Sequence, residues 1–97
     1  MSFEPLSERE EALAKQIVDA AYTVHRKLGP GLLEKVYEIC FCHELSKKGI
    51  KSRRQEEMNP VWEAQVLSYL KSTGKRLGFV INFNVPLIRD GIKRIIL

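Results

Sequence analysis

The stretch Val24–Glu38, "VHRKLGPGLLEKVYE", decides how the chain folds, because it joins two helical patterns across a break. Apolar residues recur at helical spacing up to this point: Leu13, Ile17, Ala20, Ala21, Val24 and Leu28. Gly29 and Pro30 then end the first helix, since glycine suits a helix C-cap and proline cannot continue a helix. A link of two residues predicts that the two helices pack as a hairpin or a sharp corner.

Local signals set the other ends of these helices. Ser7 and Glu10 are three residues apart and form the pattern of a capping box, which predicts the start of the first helix. The second helix is predicted from about Gly31 to Lys48, with Gly49 as its C-cap. Its predicted buried face consists of Leu33, Val36, Tyr37, Cys40, Phe41 and Leu45.

The second half of the chain contains two or three strand patterns and one more helix. Ile50–Gln55 reads as a short strand, too polar to be central, and Asn59 followed by Pro60 begins a third helix over Pro60–Thr73. Leu77–Val85 is nearly continuously apolar at its start, as in a buried strand. A turn at "RDG" leads to a last strand, Ile92–Leu97.

These elements define the expected fold class. A chain of 97 residues makes one domain, residues 1–97. We expect an α/β (α+β) fold with three helices and a small two- to three-stranded mixed sheet. Such a sheet leaves strand edges that need covering.

Composition indicates the compartment. No apolar run is long enough to span a bilayer, and the acidic, polar N-terminal stretch is not a secretory signal. We therefore expect a cytoplasmic protein. Cys40 and Cys42 are two residues apart and point to different sides of a helix, so they fit free thiols in a reducing compartment.

The charge of the chain is unevenly distributed. The net charge is +4, but residues 1–11 hold four glutamates and one arginine, which leaves 15 basic and 8 acidic residues in the rest. A cluster near the middle contains Lys47, Lys48, Lys51, Arg53 and Arg54. These are candidate nucleic-acid-binding residues. The alternative is that they mark solvated helix ends and an edge strand, because basic residues favour helix C-termini.

Two pairs of polar residues at helical spacing are candidates for chemistry. In "GLLEKVY", Gly31, Glu34 and Tyr37 follow one another at intervals of three, so Glu34 and Tyr37 are neighbours on a helix face. From there Glu34 would reach a metal or an active site. The alternative is that Glu34 simply occupies the first turn of the helix, where the dipole favours a negative charge. Gln65 and Tyr69 are four apart and would orient a phosphate or a water molecule. The alternative for this second pair is a half-buried amphipathic helix.

Cys40 and His43 also share a helix face, which is one half of a metal site. Zinc needs two more ligands, and the only other histidine is His25. We therefore expect no metal site at this pair.

Motifs along most of the chain point to one family. "VHRKLGPGLLEKVYE", joined to "NFNVP" and "GIKRI", resembles the GxxExxY protein family, a group in the PD-(D/E)XK nuclease superfamily. Gln65-x-x-x-Tyr69 is similar to the Q-x-x-x-Y helix motif of related nucleases. The resemblance covers about Gln16–Leu97 and implies a mixed sheet flanked by helices. It also implies a magnesium-dependent nuclease whose metal is held by an aspartate on one strand and an E-x-K triplet on the next.

The part that would carry this chemistry is missing from the chain. The resemblance places the two catalytic strands between Gln55 and Asn59, where only "EEM" stands. The chain has two aspartates, Asp19 and Asp90, and no glutamate followed two positions later by lysine. We therefore expect a truncated PD-(D/E)XK-like core without catalytic residues or metal ligands. The motif residues that remain are Gly31, Glu34, Tyr37, Gln65 and Tyr69.

The loss of these strands leads to two functional hypotheses. The first is a non-catalytic, nuclease-derived interaction module without a cofactor. The strand after Leu77 has lost its parallel neighbour, and an open apolar edge predicts a homodimer or higher homo-oligomer. Its further partner would be nucleic acid or protein, and not a membrane. The alternative is a nuclease with Mg or Mn held across an oligomer by Glu34, Glu56 or Glu57, and Gln65.

Overall fold

The computed structural model describes residues 6–50 and 76–96, which form an α+β arrangement. Its elements are helix α1 (Glu8–Leu28), helix α2 (Glu34–Lys47), strand β1 (Leu77–Ile81), a 3-10 turn (Ile88–Gly91) and strand β2 (Ile92–Ile96). Within the described ranges there are thus two α-helices and an antiparallel pair of strands, not a mixed sheet. The predicted third helix, Pro60–Thr73, and the short strand predicted after Ile50 lie outside the described residues.

Helix α1 begins and ends where its local signals predict. The Glu10 N–H donates to Ser7 Oγ at 3.1 Å and the Ser7 N–H donates to Glu10 Oε1 at 3.0 Å, which confirms the capping box. The hydrogen bond from the Ser7 backbone is the main cause that lowers the pKa of Glu10. Gly29 caps the other end with φ 68° and donates to the His25 carbonyl oxygen at 2.8 Å. In the apolar stripe Ala20, Ala21 and Val24 are buried, Ile17 and Leu28 are half-buried, and Leu13 is exposed.

Helix α2 begins three residues later than predicted. Gly31, Leu32 and Leu33 form a loop, in which Gly31 has a φ of 98° that favours glycine. The predicted buried face is therefore wrong in part: Leu33 is 78% exposed and Val36 is 38% exposed. Tyr37 is buried as predicted. The late start follows from the left-handed backbone of Gly31, whose N–H is held by Asn84, while Tyr37 holds that of Leu32, as described below.

The C-terminal end of α2 is a Schellman motif. Lys48 is the C-cap, one residue before the predicted cap Gly49, which follows with φ 75°. The Gly49 N–H donates to the Ser46 carbonyl oxygen at 3.0 Å, and the Ile50 N–H donates to that of Leu45 at 2.9 Å. These bonds satisfy carbonyl groups that the last helical turn leaves free.

The two strands form an antiparallel hairpin in which Leu77 pairs with Ile96 and Ile81 pairs with Ile92. Strand β1 ends at Ile81, four residues before the predicted end, and all five of its residues are half-buried. The turn predicted at "RDG" is the C-terminal part of the 3-10 turn. The loop between the strands is closed by the Asn82 N–H, which donates to the Gly91 carbonyl oxygen at 2.8 Å.

The core lies where both helices meet the end of the hairpin. Its buried residues are Ala21, Val24, Tyr37, Phe83 and Ile88. The Tyr37 and Phe83 rings stack with centroids 5.1 Å apart, and Phe41 meets Phe83 edge-on at 5.6 Å. Aromatic pairs at these separations add to the stabilisation that apolar burial provides.

An ion pair ties the hairpin to the start of α1. The Arg94 guanidinium donates two hydrogen bonds to the Glu11 carboxylate, at 2.9 and 3.3 Å. Arg94 lies opposite Phe79 in the strand register, so this face of the hairpin is turned toward α1. Both side chains are partly exposed, so the pair contributes more to orientation than to stability.

Candidate functional site

The Tyr37 hydroxyl holds the loop that joins the two helices. It donates to the Gly29 carbonyl oxygen at 2.5 Å and accepts from the Leu32 N–H at 3.0 Å. Tyr37 lies on the first full turn of α2, so its ring is fixed in the core while its hydroxyl reaches back to the loop. The tyrosine of the "GLLEKVY" motif therefore performs a structural task in this chain.

Asn84 brings the "NFNVP" segment to the same loop. Its Oδ1 accepts from the Gly31 N–H at 2.8 Å and lies 3.5 Å from the Tyr37 hydroxyl. Its Nδ2 donates to the Leu32 carbonyl oxygen at 3.5 Å. Tyr37, Asn84 and the loop Gly29–Leu32 thus form one hydrogen-bonded unit, which we name the Tyr37–Asn84 lock.

Asn84 was not among the residues predicted from the sequence. Its only signal was its place in "NFNVP", just beyond an apolar strand, where an asparagine reads as an ordinary turn residue. A second missed contact supports the lock: His25 Nε2 lies 2.7 Å from the Val85 carbonyl oxygen, so Nε2 donates. His25, which the sequence analysis considered only as the second histidine of a metal site that it did not expect, therefore joins α1 to the same segment.

Glu34 is the first residue of α2, and its side chain is exposed. It stands three positions before Tyr37 on the same helix, but the Tyr37 side chain is buried in the core. The spacing therefore does not bring the two groups to one site. The position of Glu34 in the first turn agrees with the dipole interpretation of this glutamate.

The described residues offer no cluster of ligands for a divalent metal ion. Among residues 6–50 and 76–96, no three His, Cys, Asp or Glu side chains lie close enough together to hold one. Asp19 is exposed on α1, and the Asp90 carboxylate lies 4.0 Å from Arg89 Nε. The other groups of the assembled-site hypothesis, Glu56, Glu57, Gln65 and Tyr69, lie outside the described residues.

The structure describes two of the five residues of the basic cluster, Lys47 and Lys48. Lys47 Nζ lies 3.3 Å from Glu44 Oε1, and Lys27 Nζ lies 3.4 Å from the same oxygen. Partial desolvation raises the pKa of Glu44, but the hydrogen bond from Lys47 and the charge of Lys27 outweigh it and keep this pKa below its ordinary value. Lys48 is exposed at the C-cap. The remaining members, Lys51, Arg53 and Arg54, lie outside the described residues.

A groove runs between α1 and α2 on the side of Glu44. It has a volume of about 310 Å³ and a largely apolar lining from Val24, Leu28, Ile39 and Cys40. Leu28 and Cys40 also pack against the core cluster, so the floor of the groove is the outer wall of the core.

Comparison with protein families gives two matches, to residues 11–62 and 55–95, and both are to the PD-(D/E)XK nuclease superfamily. Because together they span most of the chain, the protein belongs to this superfamily. The two matched segments overlap at residues 55–62. The place predicted for the lost catalytic strands, between Gln55 and Asn59, lies within this overlap. This division is consistent with a family member shortened internally at that point.

Two other comparisons give no relatives. Neither the curated proteins nor the solved structures contain a match to this chain. The described part of the chain contains no helix that is long and apolar enough to cross a membrane.

Proposed function

We propose that this protein is a nuclease-derived domain that has lost catalysis and acts by binding, as a homo-oligomer. The observation that carries the proposal is the missing acidic triplet. The chain has no E-x-K, and its two aspartates lie in the middle of α1 and in the 3-10 turn. Hydrolysis of a phosphodiester with a divalent metal needs carboxylates that hold the ion and a group that activates water.

The Tyr37–Asn84 lock is a second observation that supports this proposal. The Tyr37 hydroxyl donates to one backbone carbonyl oxygen and accepts from one backbone N–H, so both of its roles are used within the chain. Gly31 is needed for a backbone φ of 98° and gives its N–H to Asn84. Two of the three motif residues, Gly31 and Tyr37, thus have a role in the folding of the loop that requires no reaction, whereas Glu34 is exposed beside them.

We expect the purified protein to show no cleavage of single- or double-stranded DNA or RNA with Mg²⁺ or Mn²⁺. We also expect no rise in melting temperature when Mn²⁺ is titrated, because an ion bound only by the folded state must raise that temperature. The matched control is Glu34→Gln, which removes the charge of the exposed motif glutamate while conserving its size. The protein and this variant should behave alike in both assays.

The alternative is a metal-dependent nuclease whose site is assembled across an oligomer. It rests on the exposure of Glu34, which leaves this carboxylate accessible to a second chain. Cleavage that disappears in Glu34→Gln, together with a melting temperature raised by Mn²⁺, would establish this alternative and remove the non-catalytic proposal.

The hairpin of the described strands supports the proposed homo-oligomer. Among the described strands β1 pairs only with β2, and an apolar strand with one open edge tends to pair with another chain. We expect light scattering over a dilution series to give a mass of at least two chains that falls toward one chain at low concentration. A monomer throughout the series would contradict the proposal.

For the binding partner, protein is favoured over nucleic acid. Lys47 shares the Glu44 carboxylate with Lys27, so one of the five candidate phosphate-binding groups is already engaged. Phosphate binding relies on cations that are free to replace counterions. The apolar groove beside these lysines offers contacts to an apolar side chain that a phosphate backbone lacks.

A further inference from the structure

We draw no further inference here: the strongest candidate, the apolar groove between α1 and α2 with Val36 and Ile39 exposed beside it, carries nothing, because nothing in the described part of the chain shows what covers it and the charges of Lys27 and Glu44 in its lining cancel.

Discussion

Replacing Tyr37 with alanine is expected to lower the free energy of unfolding by about 3–5 kcal/mol, the range for truncating a buried aromatic side chain. Tyr37 is buried and stacks on Phe83 in the centre of the core. Folded domains are stable by only about 5–15 kcal/mol, and short chains have the smaller margins. The variant should therefore keep only a small part of its stability and unfold at a much lower urea concentration than the parent, as measured by circular dichroism.

The Tyr37→Phe variant separates the ring from the hydroxyl. It keeps the stacking on Phe83 but leaves the Leu32 N–H and the Gly29 carbonyl oxygen without the hydroxyl that they contact. We expect a loss of about 1–3 kcal/mol, the cost of an unsatisfied polar group that is partly buried. If Tyr37→Phe is as stable as the parent, the hydroxyl does not hold the loop, and the folding of the loop does not explain the tyrosine of the motif.

Two controls make this result specific to the lock. Tyr22 is 44% exposed, so Tyr22→Ala should change stability by no more than about 0.5 kcal/mol. Asn84→Ala should cost less when Tyr37 is already phenylalanine, because both residues act on the same loop. Strict additivity of these two substitutions would show that Tyr37 and Asn84 act independently.

The boundaries that depend on local chemistry were predictable from the sequence. The Ser7–Glu10 capping box and the end of α1 at Gly29 involve residues within four positions of one another, and both are confirmed. The same holds for the end of α2, where prediction and structure differ by one residue. In each case the partners of the backbone groups lie within the window that a sequence pattern spans.

The start of α2 was not predictable in this way. Gly31 gives its N–H to Asn84, which is 53 positions away in the sequence. No local pattern contains that partner, and so Leu32 and Leu33 read as the first helical residues. Long-range hydrogen bonds of this kind override the local preference of a segment for helix.

Periodicity identified the buried side of α2 only in part, because Tyr37 and Leu45 are buried as predicted but Val36 is exposed. The helix has apolar residues on two sides, Tyr37 and Leu45 on one, Val36 and Ile39 on the other, and the pattern alone does not distinguish them. For the candidate site the same limit applies to Glu34 and Tyr37. Their spacing puts them on one helix three positions apart. Only the packing shows that Tyr37 is buried and holds the loop, whereas Glu34 is exposed to solvent.

The Gly91→Ala variant is expected to be destabilised by about 1–3 kcal/mol, the cost of forcing an atom into a filled site. A Cβ on Gly91 would overlap the Asn82 carbonyl oxygen and would lie 3.0 Å from Val85 Cγ2. The Asn82 carbonyl oxygen is a backbone atom just beyond β1, so the end of this strand must move to make room for the Cβ. Asp90→Ala is the control, since it changes the adjacent exposed residue of the same turn without adding an atom.

The displacement should also reach the lock, because Asn84 and Val85 directly follow the strand end that must move. We therefore expect the Gly31 amide proton, which is bonded to Asn84 Oδ1, to exchange with solvent faster in Gly91→Ala than in Asp90→Ala, as measured by NMR under conditions where both are folded. Faster exchange at the strands alone, with Gly31 unchanged, would mean that the hairpin and the helix–helix loop are independent. Faster exchange at Gly31 would show that the "GLLEKVY" and "NFNVP" motifs are coupled through the backbone around Asn82 and Gly91.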